Sequence, residues 1–304
     1  MNTNQVRNSI IYAIGAYIIW GFLPIYWKQV ESVPAGEILA HRIIWSFVFM
    51  LIILLITGKW PAFIKECKSF TKSKKKVIFI SLAAIVISLN WLTYIWAVNS
   101  DHVIQASLGY YINPLVSILL GIIFLKENMT RRQIFSFILA SLGVIYLTIS
   151  YGVFPWVSLA LAFSFGVYGL LKKVVDVGAM TGLTIETFVV TPFALLYLFL
   201  LPETTFKWVE VGTATNLLLM GAGIMTAIPL LLFAAGAKHI PLGMIGFLQY
   251  FAPTIMLLLG VFLYEETFTS AHLIAFSLIW IALINYMGAA YRPAKTRKNR
   301  KLLN

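Results

Sequence analysis

Three ionisable residues occur inside or at the edge of long apolar segments, where a charge is costly and usually functional. His41 and Arg42 are adjacent in one segment, and Glu186 lies in a later one. Arg42 is a candidate to bind a solute carboxylate, with snorkelling to the membrane surface as the alternative. Glu186 is a candidate to carry a coupled proton, with local pairing as the alternative. Glu37 lies four residues before His41, so these two side chains can pair on one helix face.

A second group of residues combines amides with aromatic rings inside apolar segments, which predicts a wet cavity for a small molecule. Asn90 and Tyr94 are four residues apart and share a helix face. An amide at membrane depth is expensive unless it points inward, and the Trp91 indole can stack on a planar or cationic solute. Interhelical hydrogen bonding by Asn90 and a lipid-facing Trp91 are the alternatives. The predicted cavity residues are Asn90, Trp91, Tyr94, Tyr110, Tyr111, Asn113, Gln249 and Tyr250.

Three prolines inside apolar segments predict helix kinks near this cavity. Pro114, Pro229 and Pro253 lack the backbone N–H, so the carbonyl four residues before each of them loses its helical partner. Carbonyls freed at membrane depth need protein, water or a ligand as partners. The alternative is that the prolines and the small residues around them serve only close helix packing.

Several of these residues belong to a pattern that occurs twice in the chain. Residues 107–130 and 246–269 align at a constant offset of 139 positions, as from Ser107 to Gly246. The matched pairs are Tyr111 and Tyr250, Pro114 and Pro253, Gly121 and Gly260, Glu127 and Glu266, and Thr130 and Thr269. Gly21 and Lys28 match Gly166 and Lys173 at an offset of 145 positions. An odd number of apolar spans separates the two copies, which predicts an inverted repeat of the kind that many secondary transporters use.

The elements that must position these residues are ten apolar segments, each long enough to cross a bilayer as a helix. The chain is 60% apolar and 11% charged, with a mean hydropathy of +0.88. Segments that are apolar on all sides exclude barrel strands, which alternate. The predicted spans are 8–27, 36–57, 77–98, 103–125, 132–150, 155–173, 180–201, 213–237, 241–264 and 270–291. We expect an all-α integral membrane protein with ten transmembrane helices in two inverted five-helix repeats.

The basic residues set the expected orientation of the chain. Its net charge is +12, and twenty of its 23 Lys and Arg residues fall in segments on the side of the N-terminus. Such a bias places both termini in the cytoplasm. The Lys72–Lys76 cluster and the basic tail then contact anionic lipid, so we expect no nucleic-acid partner.

The connections between spans are short and leave no room for a further domain. We expect a first repeat at residues 1–153, a second at 154–291 and a basic cytoplasmic tail at 292–304. The longest connection is expected to carry a short interfacial segment around Trp60–Ile64. Cys67 is the only cysteine and the histidines form no ligand set, so neither a disulfide, a metal nor a cofactor is expected.

Four strings in the chain resemble a known family. They read E-I-L-A-H-R-I-I-W-S at 37–46, N-W-L-T-Y-I-W-A-V-N at 90–99, A-S-L-G-Y-Y-I-N-P-L at 106–115 and G-F-L-Q-Y-F-A-P-T at 246–254. They are similar to the RarD-type proteins in the EamA branch of the drug/metabolite transporter (DMT) superfamily. The resemblance covers essentially the whole chain. It implies ten helices in a five-plus-five inverted repeat, a multi-pass position in a bacterial inner membrane, and transport of small solutes, commonly export.

The leading expectation for function is a secondary transporter that exports metabolites or drug-like solutes by alternating access at a central cavity. Its partners would be a small-molecule substrate, with amino acids and related metabolites as candidates, membrane lipid, and protons if transport is coupled. A facilitative, channel-like permease is the alternative. An intramembrane lipid-modifying enzyme would need clustered acids or a nucleophile beside its base, whereas the acidic residues here are dispersed.

Overall fold

The computed structural model describes residues 3–99, 103–152, 154–175, 177–206, 213–265 and 268–290, and all of its regular elements are α-helices. The helices are α1 (Thr3–Lys28), α2 (Ala35–Ile56), α3 (Trp60–Thr71), α4 (Lys74–Asn99), α5 (Val103–Leu125), α6 (Arg131–Tyr151), α7 (Trp156–Val174), α8 (Ala179–Leu200), α9 (Ala214–Ala237), α10 (Leu242–Gln249), α11 (Phe251–Leu263) and α12 (Ser270–Ala290). Ten spans are long and apolar enough to cross a membrane, with α10 and α11 together forming one of them. The expected all-helical membrane fold is therefore confirmed. The basic tail and Glu266 lie outside the described residues.

The helix α3 is the one element that is too short and too polar to span a bilayer. It covers twelve residues, more than the short interfacial segment expected around Trp60–Ile64. Pro61 suits its first turn, where a backbone N–H has no helical partner. Its buried Phe70 packs in a cluster with Ile80 and Val175. Glu66 accepts a 2.6 Å hydrogen bond from the N–H of Gly178, which ties α3 to the beginning of α8.

The ninth of the ten spans is interrupted at Tyr250, between α10 and α11. Pro253 lies in the first turn of α11 and cannot donate to the carbonyl of Gln249. Pro114 and Pro229, the other two expected kinks, lie inside helices that continue past them. The helix therefore ends and restarts at only one of the three predicted positions.

Two ends of the bundle are used below as reference points. The Lys28 end is where α1 ends and α2 begins, and the Lys173 end is where α7 ends and α8 begins. The helix α1 packs on α9 and α11, while α7 packs on α4 and α5. In the expected repeat, α1, α9 and α11 correspond to α7, α4 and α5. The two sets of contacts are therefore equivalent, which supports the expected repeat.

The matched segments of the repeat meet each other where α5 packs on α10. A Cβ atom added to Gly246 would lie 2.7 Å from the carbonyl oxygen of Pro114 and 2.8 Å from the side chain of Ile118. No side chain fits at that distance, so the glycine allows the two backbones to approach. At this position the repeated small residues serve helix packing.

Candidate functional site

A cavity of about 350 Å³ lies among α1, α2, α4, α5, α7, α9 and the α10–α11 span. It is close in size to the smaller pockets that bind small molecules in proteins. Trp27 from the last turn of α1, Arg42 from the second turn of α2 and Ala106 from the first turn of α5 place it toward the Lys28 end. The predicted residues that line it are Asn90, Trp91, Tyr94, Tyr110, Asn113, Gln249, Pro253 and Arg42.

Arg42 is held inside this cavity by aromatic rings rather than by an acid. Its guanidinium carbon lies 4.7 Å from the ring centroid of Trp27 and 4.8 Å from that of Trp91. Its Nε donates a 3.1 Å hydrogen bond to the hydroxyl of Thr226. Among the described residues, the ion pairs are His41 with Glu37 and Lys172 with Glu186, and neither pair includes Arg42. The charge is therefore stabilised by cation–π contacts but not neutralised.

Amide groups supply the other polar contacts of the lining. The side-chain nitrogen of Asn90 donates to the Leu161 carbonyl at 2.9 Å and to the Ser164 hydroxyl at 2.8 Å. This is the interhelical hydrogen bond that the sequence offered as an alternative for Asn90. The Asn113 side-chain oxygen is buried and has no hydrogen-bond partner among the described residues. A buried acceptor without a partner costs about 1–3 kcal/mol, so a ligand or water beside it would be stabilising.

Tyr111 and Tyr250 lie outside the lining of this cavity, which differs from the expectation. Tyr111 is 7% exposed and packs edge-on against Phe276, with ring centroids 5.3 Å apart. Tyr250 is 1% exposed in the main hydrophobic cluster. The neighbouring residue on α5, Tyr110, faces the cavity instead and packs edge-on against Tyr94. Adjacent residues of a helix point about 100° apart, so the stripe through Tyr111 faces another helix.

His41 belongs to a network at the Lys28 end and does not line the cavity. Its Nε2 lies 3.8 Å from a carboxylate oxygen of Glu37, as the spacing predicts. Its Nδ1 accepts a hydrogen bond from the indole of Trp45. The same Glu37 oxygen accepts from the backbone N–H groups of Thr205 and Phe206, at 2.7 Å and 3.1 Å. This network fixes the segment that follows α8 against α2.

Glu186 lies on α8 near the Lys173 end and does not line the 350 Å³ cavity. One of its carboxylate oxygens is 2.7 Å from the Lys172 ammonium, and the other accepts from the Tyr168 hydroxyl at 3.2 Å. Local pairing, the alternative stated for Glu186, is therefore present. A smaller cavity of about 140 Å³ lies beside Lys172, Glu186 and Lys238.

At the Lys173 end, two charged side chains hold the connection between α9 and α10. Glu127 accepts hydrogen bonds from the N–H groups of Leu242 at 2.7 Å and Gly243 at 2.9 Å, the first residues of α10. Lys173 donates to the carbonyls of Ala237 at 3.2 Å and Ile240 at 2.6 Å, where α9 ends. An anion at a helix N-terminus and a cation at a helix C-terminus both complement the helix dipoles.

The sequence analysis missed the contribution of α1 to the cavity. Tyr17, Trp20, Pro24 and Trp27 all line it. Their spacing of three, four and three residues places them on one face of a helix. That aromatic stripe was present in the sequence, but aromatic residues also mark lipid-facing and interfacial positions, so the stripe alone does not select a cavity.

Comparison with known proteins places the chain in a family. The EamA-like transporter family matches residues 7–149. The chain is 50% identical to the "Uncharacterized transporter YojE" of Bacillus subtilis over 93% of this chain and 95% of that protein. It is 42% identical to "Protein RarD" of Escherichia coli over 98% and 100% of the two chains.

A solved structure, described only as the crystal structure of a protein, matches with a TM-score of 0.73 at 17% identity. The match covers 93% of this chain and 99% of that one, and it shows the fold alone. The sequence identity to RarD and to related transporters over nearly the full length decides membership. The chain belongs to the RarD group of the EamA-like transporter family, within the drug/metabolite transporter superfamily.

Proposed function

We propose that this protein is a secondary transporter that exports small solutes across the bacterial inner membrane by alternating access at the 350 Å³ cavity. The observation that carries the proposal is a largely apolar cavity that contains one cation without an acidic partner among the described residues, placed inside a bundle of ten helices long and apolar enough to span a membrane. The names of its relatives point to transport. Neither observation identifies a reacting group, which is why an enzyme is not proposed.

Alternating access requires that one end of the bundle is closed while the other gives access. At the Lys173 end, Glu127 and Lys173 hold the α9–α10 connection. At the Lys28 end, the residue that matches Lys173 in the repeat is Lys28. Its ammonium group lies 4.4 Å from the centroid of the Tyr264 ring. We assign the Lys173 end to the cytoplasm from the charge bias.

The transport proposal is tested with purified protein in proteoliposomes and a panel of amino acids, other metabolites and amphenicols. A carrier gives saturable flux and counterflow, in which unlabelled solute on one side drives uptake of labelled solute. A channel-like permease gives flux without counterflow. Absence of flux for the whole panel, by protein that is folded and inserted, would contradict the proposal.

Orientation is tested with the only cysteine of the chain, which lies on α3 at the Lys173 end. We expect an impermeant maleimide to label Cys67 in inverted vesicles but not in intact cells. Burial, and to a smaller extent the Glu66 carboxylate, raise the pKa of the Cys67 thiol above its ordinary value of 9.0. Less thiolate is therefore present at neutral pH, and the labelling rate should keep rising as the pH passes 9.0. Labelling of intact cells would place the Lys173 end outside.

Proton coupling through Glu186 stays a prediction. We expect Glu186→Gln to abolish transport driven by a pH gradient and to leave solute exchange intact, because glutamine fills the same space but does not titrate. The measurement is flux in proteoliposomes with and without the gradient, at equal amounts of folded protein. Glu66→Gln, at the same end but outside the ten spans, is the matched control. An unchanged pH dependence in Glu186→Gln would restrict Glu186 to its pairing with Lys172.

A further inference from the structure

We infer that the solute bound in this cavity is an organic monoanion, whose carboxylate binds Arg42 and whose apolar body lies against the aromatic wall. The inference rests on the proposed transport function, since it concerns the same cavity, and it names the chemical class of the substrate.

The charge of the lining is the first argument. Arg42 is the only Lys, Arg, Asp or Glu among the described residues that line the cavity. A guanidinium removed from bulk water at membrane depth is costly, and cation–π contacts recover only part of that cost. An incoming anion would neutralise the charge, whereas a cation would add a second like charge. No lining carboxylate is present in the described part of the chain to bind the ammonium group of a zwitterion or an amine.

The geometry of the guanidinium is the second argument. Its carbon lies 4.7 Å from the ring centroid of Trp27 and 4.8 Å from that of Trp91, and its Nε donates to the Thr226 hydroxyl. The two terminal nitrogens have no hydrogen-bond partner among the described residues. A planar carboxylate can accept two parallel hydrogen bonds from these two nitrogens.

The shape and polarity of the remaining wall indicate the body of the solute. Trp20 and Phe165 pack edge to face with ring centroids 5.7 Å apart, and both line the cavity together with Leu230 and Met256. A wall of this kind binds an apolar or aromatic group through its area and its ring edges. The 350 Å³ volume admits a molecule with one ring and a short acid side chain.

Calorimetric titration of the full chain in nanodiscs tests this inference with three probes of nearly equal shape. They are phenylacetate, its neutral analogue phenylacetamide, and the cation phenethylammonium. We expect phenylacetate to bind at least about tenfold more tightly than phenylacetamide, as loss of a charge-assisted hydrogen bond implies, and phenethylammonium to show no binding.

Substitution of Arg42 tests whether this residue causes the preference for the acid over the amide. In Arg42→Gln the acid and the amide should bind equally, and Arg42→Lys should retain part of the preference because the charge remains while the paired hydrogen bonds are lost. Arg7→Gln makes the same change at an exposed position and should bind as the unaltered protein does. Thermal unfolding of each variant checks that it is folded.

Three results would overturn the inference: equal binding of acid and amide by the unaltered protein, a preference that survives Arg42→Gln, or no binding of phenylacetate at millimolar concentration. Failure of the transport proposal is distinguishable from these. Counterflow of a neutral or cationic solute would sustain transport and overturn the carboxylate site. Arg42-dependent binding of phenylacetate without flux in proteoliposomes would sustain the site and overturn transport.

Discussion

Replacement of Arg42 by methionine is expected to abolish transport while leaving the thermal stability of the protein equal or higher. Methionine keeps an apolar chain beside the indoles of Trp27 and Trp91 but removes a cation that has no acidic partner among the described residues. Arg42 is partly buried, and replacing a poorly compensated charge in such a site with an apolar residue is often neutral or stabilising. Substitution of a functional residue can raise the stability of a protein, because functional sites are often not optimised for stability.

The measurement is the unfolding temperature in detergent beside counterflow in proteoliposomes, using whichever solute the panel identifies. Lys59→Met is the control, since Lys59 is an exposed residue between α2 and α3 and should change neither quantity. A marked fall in unfolding temperature for Arg42→Met, with the affinity of the remaining folded protein unchanged, would make Arg42 a structural anchor.

Glu127→Ala is expected to lower stability by about 3 kcal/mol, since it removes two hydrogen bonds to a charged acceptor at the beginning of α10. It also removes the anion that complements the α10 dipole. We expect hydrogen exchange to accelerate in the amides of residues 242–249, with little change in α6 or α12. Exchange of this kind reports local opening of a segment without unfolding of the whole bundle.

Asn128→Ala is the matched control for this prediction, because Asn128 is adjacent and exposed. Glu127→Gln should fall between the two, since the amide oxygen can still accept one of the two hydrogen bonds. If Glu127→Ala left both stability and exchange unchanged, the end of the bundle near Lys173 would be held by packing alone.

The sequence predicts the number and position of the spans because ten long apolar segments have few other solutions in a bilayer. Six of the eight residues expected at a substrate cavity line the 350 Å³ cavity, and three of these six are amides, which at membrane depth must point inward. Spacing alone does not separate a face that lines a cavity from a face that packs on another helix. Tyr110 and Tyr111 are adjacent residues of the same type, so the sequence does not indicate which of them lines the cavity. The packing of α7 and α12 around α5 decides it.

Two further features depend on residues that are distant in sequence. Glu127 is visible in the repeat, but its role follows from the fold, which brings it to the backbone of Leu242 and Gly243. Likewise, nothing in the residues around Arg42 reveals that Thr226 and Trp27 will surround it. Residue types were therefore enough to propose candidate site residues. The contact partners of each residue could be identified only from the packing of the helices.

The interruption at Tyr250 has a mechanical consequence. The N-terminus of α10 is fixed by Glu127, while α11 packs on α1, where a Cβ atom at Gly21 would lie 2.7 Å from Ile255. A continuous helix would force both ends of this span to turn together. Because the helix is interrupted at Tyr250, we expect α11 to move with α1 more freely than one continuous helix would allow, which would change the width of the cavity beside Pro253 and Met256.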